Sequence, residues 1–389
     1  MADHAAAPLL PAEGRIRMLS RALAVVGLLY LFLMGVNGLG GGFKLLGKDL
    51  LDSFFLATTN PFLGLVIGIL ATTLVQSSSV TTSLIVGLVA APENPLPVAN
   101  AVPMIMGANI GTTVTNTVVS LAHMTRREEF RRAFAVATCH DFFNFFGVVA
   151  LLPLELAVGY LRHGAETIAA AVTGWGGVKY ESPIEGVIRA GVAPLQKALA
   201  TLTDVRLAQA VVLIVVSGAM IYVALLLLVK TMRALLRRRV EAAVSRTLDR
   251  NPLLSMAIGL VVTVMVQSSS ITTSLLVPLA GAGLITLAQA FPVTVGANVG
   301  TTVTALIASL AVAGPNAVAG VTIALVHLLF NLSATVLIYP WKPVRNIPLY
   351  LARRLAHVAT ESRWTALAYV GGVFYLLPGA LALLSRHFR

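Results

Sequence analysis

The sequence predicts an all-α polytopic membrane protein made of two inverted-topology repeats, each with a re-entrant helical hairpin and a broken transmembrane helix. Three observations predict it. Residues 53–92 and 251–341 contain no Asp, Glu, Lys or Arg, and uncharged runs of that length belong in a bilayer. Three phrases each occur twice in the same order: "NPFLGLVIG" and "NPLLSMAIG", "GANIGTTVT" and "GANVGTTVT", "HDFFN" and "HLLFN". Matches of this kind mark an internal duplication. Finally, arginines gather in short segments between the apolar spans, which assigns a side of the membrane to each segment.

Composition agrees. The 389 residues are 57% hydrophobic and 11% charged, with a mean hydropathy of +0.86. These values exclude a disordered chain and argue against a soluble core. The net charge of +12 follows the positive-inside pattern rather than a base-stacking one, so no nucleic-acid partner is expected. The single cysteine, Cys139, excludes an internal disulfide. No nucleophile elbow, HExxH, CxxC or Walker loop is present, and seven histidines with one cysteine form no metal constellation. No enzyme activity and no cofactor are expected.

The elements follow in order. Residues 1–21, with Arg15, Arg17 and Arg21, are a cytoplasmic N-terminus. Residues 22–52 hold a first transmembrane helix over 22–39 and an external segment. Residues 53–161 form repeat 1. In it, apolar arms 61–75 and 80–91 flank Gln76-Ser77-Ser78-Ser79, and each arm is too short for a full span, which favours a re-entrant hairpin. Residues 99–123 then cross, the arginines of 126–132 mark the cytoplasm, and 133–160 return. Residues 162–206 are an external segment with one amphipathic piece at 184–202. Residues 207–250 combine a transmembrane helix with a basic cytoplasmic segment. Residues 251–341 form repeat 2, with arms 252–266 and 271–282 around Gln267-Ser268-Ser269-Ser270 and crossings over 287–313 and 317–340. Residues 342–389 are an interfacial segment and a last transmembrane helix. Three crossings separate the two Gln-Ser-Ser-Ser phrases. The number is odd, so the copies face opposite ways, an arrangement used by many secondary transporters with a site near the midplane.

Hydroxyls and an amide between apolar arms need partners, because an unsatisfied polar group in lipid costs several kcal/mol. A backbone break at each Gln-Ser-Ser-Ser would supply them, with helix N-termini that favour anions and oxygen ligands that suit a cation such as sodium. Gly107, Gly111, Gly296 and Gly300 suit a broken helix lined by Asn109, Thr112, Thr113 and by Asn298, Thr301, Thr302, and the same glycines also suit tight helix packing. His140 and Asn144 share one helical face, as do His327 and Asn331, and the plain reading of the histidines is a satisfied interhelical hydrogen-bond pair. Asp141 is the sole Asp, Glu, Lys or Arg between Arg132 and Glu155, and Leu328 occupies its place in the second repeat. An intramembrane carboxylate is a candidate cation ligand, with a salt bridge near a helix end as the plainer alternative.

These residues resemble the type II sodium–phosphate cotransporters. The likeness rests on "NPFLGLVIGILATTLVQSSS", "GANIGTTVTNTVVSL", "FRRAFAVATCHDFFNFFGVVALLPLE", "QSSSITTSLLVPLAGAGLIT" and the tail "ESRWTALAYVGGVFYLLP", and extends over about residues 22–384. The resemblance implies inorganic phosphate as substrate and sodium as coupling ion. It assigns phosphate to Gln76, Ser77, Ser78, Ser79, Gln267, Ser268, Ser269 and Ser270. It assigns sodium to Asp141, Asn109, Thr112, Thr113, Asn144, Asn298, Thr301 and Thr302. An Asp at position 141 resembles the electrogenic members. The implied function is sodium-coupled electrogenic phosphate uptake by alternating access, with a symporter of another small anion or an anion channel as alternatives. The 162–206 segment is short and lacks cysteine, and the chain stops soon after its last span. Both features imply a bacterial inner-membrane protein without tail-based regulation. The partners expected are phosphate, sodium and the lipid bilayer, and the oligomeric state stays open, with a dimer as one arrangement.

Overall fold

The computed structural model describes residues 12–46, 58–92, 95–174, 185–247, 251–310, 312 and 315–384. Every regular element among them is helical. In chain order they are α1 (Ala12–Leu46), α2 (Pro61–Val75), α3 (Ser78–Val89), α4 (Val98–Thr112), α5 (Val114–Leu121), α6 (Arg127–Val158), α7 (Tyr160–Gly174) and α8 (Glu185–Leu202). There follow α9 (Arg206–Thr247), α10 (Pro252–Val266), α11 (Ser269–Gly281), α12 (Leu287–Ser309), α13 (Ala317–Ile338) and α14 (Lys342–Glu361). The chain then forms α15 (Arg363–Gly371), a π-helical turn (Gly372–Leu376) and α16 (Leu377–Leu384). Among the described residues, five stretches are long and apolar enough to cross a membrane: Arg127–Val158, Arg206–Leu225, Leu287–Ser309, Ala317–Ile338 and Arg363–Leu383. Large apolar side chains such as Val215, Val336, Trp364 and Leu376 are exposed on the outside, as a lipid-facing surface requires. The protein is an integral membrane protein.

Local sequence explains the helix ends. Both repeats open on Asn-Pro. Asn60 Oδ1 accepts from Phe62 N at 3.0 Å, and Asn251 Oδ1 accepts from Leu253 N at 2.9 Å. The prolines occupy the first helical position, where a missing N–H costs nothing. Thr286 and Gln289 close a capping box at the start of α12, and α6 ends at Gly159, whose φ of 62° is the usual left-handed stop. Glu155 then caps the next helix, accepting from Leu161 N at 2.7 Å.

The two repeats interleave. In the first, α2 crosses α4 so closely that a Cβ at Gly68 would strike the Met104 carbonyl, and one at Gly107 the Leu65 carbonyl. In the second, α10 crosses α12 with Gly259 on the Val293 carbonyl and Gly296 on the Met256 carbonyl. Across the repeats, α3 packs on α12 and α13, while α11 packs on α5 and α6. The helices that follow the long ones are exchanged as well: α7 lies on α13 and α14 lies on α6. The elements that precede the repeats, α1 and α9, pack on each other.

Four expectations change. The helix of the first Gly-Ala-Asn-x-Gly is interrupted at Thr113, between α4 and α5, but its counterpart α12 runs unbroken through Gly296–Thr304. The glycines serve the helix crossings instead: a Cβ at Gly111 or Gly300 would lie 2.7 Å from the carbonyl of Ile69 or Leu260. Residues 40–46, expected as an external loop, continue α1, because Gly42 lets it approach Ile214 of α9. The 162–206 segment holds α7 in addition to the expected amphipathic helix, which is α8, and most of "TGWGGVKYESP" lies outside the described residues. The basic stretch after residue 229 continues α9 helically to Thr247.

Candidate functional site

Each Gln-Ser-Ser-Ser forms a two-residue corner between helices. Gln76 has φ 57° and ψ 26°, and Gln267 has φ 57° and ψ 27°. Ser77 and Ser268 are extended, at φ −153°, ψ 108° and φ −155°, ψ 110°. Among the described residues, Gln76 and Gln267 are the only non-glycine positions with positive φ, a conformation that costs an L-residue about 1–2 kcal/mol. Two unrelated corners would not share it, so the duplication extends to backbone conformation.

The glutamine side chains hold these corners in the same way. Gln76 Nε2 donates to Thr73 O at 2.6 Å and its Oε1 accepts from Thr115 at 3.0 Å. Gln267 Nε2 donates to Val264 O at 2.6 Å and its Oε1 accepts from Thr304 at 2.9 Å. In each case the amide satisfies a carbonyl freed at a helix C-terminus and ties the corner to the end of the repeated Gly-Ala-Asn-x-Gly-Thr-Thr-Val-Thr, in α5 for Gln76 and in α12 for Gln267. Gln76 also donates to the Tyr375 hydroxyl at 3.3 Å.

The helices after the corners start at Ser78 and Ser269, both buried. Their first amides precede any intrahelical bond, and the partial positive charge of the helix start lies there. The two corners meet: Ser79 Oγ lies 3.4 Å from Gln267 O and 3.4 Å from Thr304 Oγ1. Ser77 accepts from Val80 N at 3.3 Å, whereas Ser268 makes no side-chain cap. Ser270 is half-buried. The meeting point therefore combines two helix N-termini, hydroxyls and backbone amides, and the eight corner side chains carry no charge.

The sodium candidates fall into two groups. Asn109, Asn144 and Asn298 join one buried network with His140, His327 and Asn331. Asn144 Nδ2 donates to Asn109 O at 2.7 Å, and Asn298 Nδ2 donates to the Oδ1 atoms of Asn144 and Asn331 at 2.8 Å each. The histidines do not pair with their own asparagines. His140 Nε2 lies 3.2 Å from Asn298 Oδ1, and His327 Nε2 lies 3.4 Å from Asn109 Oδ1. Each histidine thus bonds to an asparagine on a helix of the other repeat, an interhelical contact of the kind expected for it.

Asp141 forms the second group. It is fully buried, and its Oδ2 accepts from Tyr369 at 2.8 Å and Thr117 at 3.3 Å, while Oδ1 has no hydrogen-bond partner. No basic side chain among the described residues pairs with it. Thr112 and Thr301 donate to Ala108 O and Ala297 O at 2.8 and 3.1 Å. Thr113 and Thr302 donate to Ile110 O and Val299 O at 2.8 Å each. With their protons committed to carbonyls, these four hydroxyls present lone pairs, which suit a cation. No described group of His, Cys, Asp and Glu is arranged to hold a resident metal ion.

Several participants were not singled out from the sequence. Thr115 and Thr304 stand at the end of the repeated "GANxGTTVT", where the repetition itself was the signal. Asn116 accepts from Thr273 and Ser274 of α11 at 2.9 and 3.0 Å. Tyr369 and Tyr375 come from the last helices and carry no local signal.

The Na+/Pi-cotransporter family matches residues 31–174 and 220–351. The chain is 34% identical over 422 residues to sodium-dependent phosphate transport protein 2A of Rattus norvegicus, covering 91% of this chain and 66% of the relative. It is 34% identical over 452 residues to the 2A protein of Ovis aries, covering 96% and 70%. Against protein 2B of Homo sapiens it is 32% identical over 447 residues, covering 92% and 64%. The chain thus spans about two thirds of the length of these relatives. No solved structure matches. Two matched segments that each contain one Gln-Ser corner, together with relatives aligned along nearly the whole chain, establish that this protein belongs to the Na+/Pi-cotransporter family.

Proposed function

We propose that this protein is a secondary active transporter that takes up inorganic phosphate with sodium, by alternating access between two inverted repeats. The observation that carries the reading is the meeting of two conformationally identical Gln-Ser corners at Ser79 and Gln267. Phosphate binds at that junction, held by the corner hydroxyls of Ser77–Ser79 and Ser268–Ser270 and the amides of the two helix starts. Gln76 and Gln267 set the corner geometry beside it. Neutral donors suit a transporter, because a fixed arginine would hold phosphate too firmly for release. Sodium ions neutralise the anion and occupy oxygen sites formed by Asp141, Thr112 and Thr113 on one side and Thr301 and Thr302 on the other, with Asn109, Asn144 and Asn298 supporting the helices that carry them. Asp141 adds one fixed negative charge for an extra cation, so net positive charge moves inward in each cycle and transport is electrogenic. The proposed location is a bacterial inner membrane, in line with the short cysteine-free segment at 162–206.

The test is uptake of labelled phosphate into proteoliposomes under an imposed sodium gradient, with sulfate as competitor. Saturable uptake that requires sodium and resists sulfate is expected. Sodium-independent, non-saturating flux would indicate a channel, and equal competition by sulfate would indicate a broader anion symporter.

A further inference from the structure

The end of the molecule that carries the arginines of 126–132 holds a cavity of about 490 Å3 separate from the Gln-Ser corners. Three elements enclose it. The start of α6 contributes Arg131 and Arg132, α14 contributes Arg353 and His357, and the turn from α11 into the start of α12 contributes the apolar pair Ile285 and Leu287. No acidic side chain among the described residues lines it. The N-cap of α12, Thr286, also faces the cavity, which adds the positive end of a helix dipole to the arginines.

The arginines are not equally committed. Arg132 is bound to protein, donating to Gly281 O at 2.7 Å and to Ala280 O at 3.2 Å. Arg131 lies on the rim, bridged to Glu128 at 2.7 Å with both side chains well exposed. Arg353 is exposed and has no hydrogen bond or ion pair with a described residue. A basic rim over an apolar floor calls for a ligand that is anionic at one end and apolar at the other.

The surface of α14 indicates the source of such a ligand. One face of the helix is buried through Leu349, Ala352 and Ala356. On the other, Val344, Ile347, Tyr350 and Val358 are exposed beside Lys342 and Arg354. A helix with exposed apolar and basic residues together lies at the depth of lipid headgroups, and basic pockets between membrane helices take anionic headgroups. We propose that this cavity binds the headgroup of an anionic phospholipid, with its phosphodiester on Arg353 and Arg131 and the start of its acyl chain against Ile285 and Leu287. The bound lipid would brace the far end of α11, the helix that begins at the second corner, because Arg132 already clasps that end. This inference is independent of the transported substrate.

The experiment uses the purified full chain in neutral detergent and follows thermal unfolding. The probes are short-chain phosphatidylglycerol, short-chain phosphatidylcholine and inorganic phosphate. Phosphatidylglycerol should raise the melting temperature saturably, and phosphatidylcholine should not. Arg353→Gln should weaken the phosphatidylglycerol effect roughly ten- to a hundredfold in half-saturating concentration, the loss expected for one hydrogen bond to a charged group. Arg354→Gln, one position along and stacked on Tyr350 at 5.2 Å from the ring centre, should leave it unchanged. Since Arg353 has no described partner, its loss does not threaten folding. An unchanged response in Arg353→Gln, or equal stabilisation by phosphatidylcholine, overturns the site. A phosphate effect that Arg353→Gln abolishes would make it a free-phosphate site and overturn the lipid assignment. A phosphate effect that Arg353→Gln leaves intact belongs to the corners.

Discussion

At the scale of single residues, Gln76 and Gln267 carry two opposing contributions. Their left-handed backbone is unfavourable, while their side chains satisfy a helix-end carbonyl and accept from a threonine of a later helix, Thr115 of α5 or Thr304 of α12. Substitution separates the two. Gln76→Ala loses the three side-chain hydrogen bonds and keeps the strain, whereas Gln76→Gly loses the bonds and relieves it. We expect the glycine variant to be the more stable by about 1 kcal/mol in thermal unfolding, with phosphate uptake lost in both. Equal stability would show that the corner is not strained. Asp141 poses a different question, because its carboxylate is buried with one oxygen unpartnered and has no counterpart in the second repeat. If sodium answers that charge, an inside-negative potential should stimulate wild-type uptake, since each net charge gains about 2.3 kcal/mol per 100 mV. Asp141→Gly should flatten that response and lower the number of coupled sodium ions, as measured by uptake against a valinomycin-set potassium potential. Tyr369→Phe, which removes the 2.8 Å donor to Asp141, should shift the sodium dependence more than the phosphate dependence. A Tyr369→Phe protein with wild-type sodium dependence would leave that hydroxyl no more than a structural role.

At the scale of elements, the crossings of α2 with α4 and of α10 with α12 bring backbone against backbone. A methyl group at Gly68 or Gly296 has nowhere to go except into a carbonyl oxygen. Overpacking of that kind costs typically about 1–3 kcal/mol, so Gly68→Ala and Gly296→Ala should lower the melting temperature or prevent accumulation in the membrane. Gly218→Ala in α9, where nothing lies within 4 Å of the added atom, should be neutral or stabilising by up to about 1 kcal/mol. The same glycines show what was legible in the sequence. Their repetition was plain, and so were the Asn-Pro helix starts and the polar corners, because each depends on neighbours in the chain. Whether Gly107 and Gly296 break a helix or admit another one depends on Leu65 and Met256, which the local phrase does not contain. For the same reason the spacing did not name the distant asparagines that the histidines meet, and Tyr369 reached Asp141 unannounced from 228 residues away. A sequence reveals its own caps and periods more readily than its distant partners.

At the scale of the whole molecule, the question is whether the two repeats face opposite sides of the membrane. Two contacts fix which loops share an end. Arg132 donates to Gly281 O, which puts the end of α11 beside the arginine-rich start of α6. Asn316 Nδ2 donates to Ala91 O at 2.6 Å, which puts the end of α3 beside the turn between α12 and α13. The helix α6 has 32 residues, about 48 Å at 1.5 Å per residue, enough to carry the chain from one face of a bilayer to the other. If arginine marks the cytoplasm, Leu284 after α11 lies inside with Glu128, and Pro92 after α3 lies outside with Glu166 of α7. Both corners would then sit at the ends of arms that enter from opposite faces. We expect single cysteines at Glu128 and Leu284 to react with an impermeant maleimide only after the cells are opened. Cysteines at Pro92 and Glu166 should react in intact cells. The background is Cys139→Ser, a buried thiol that such a reagent should not reach in any case. Reaction of Pro92→Cys and Leu284→Cys from the same side would mean that the duplicated arms run parallel, and the inverted arrangement on which alternating access rests would fall with it.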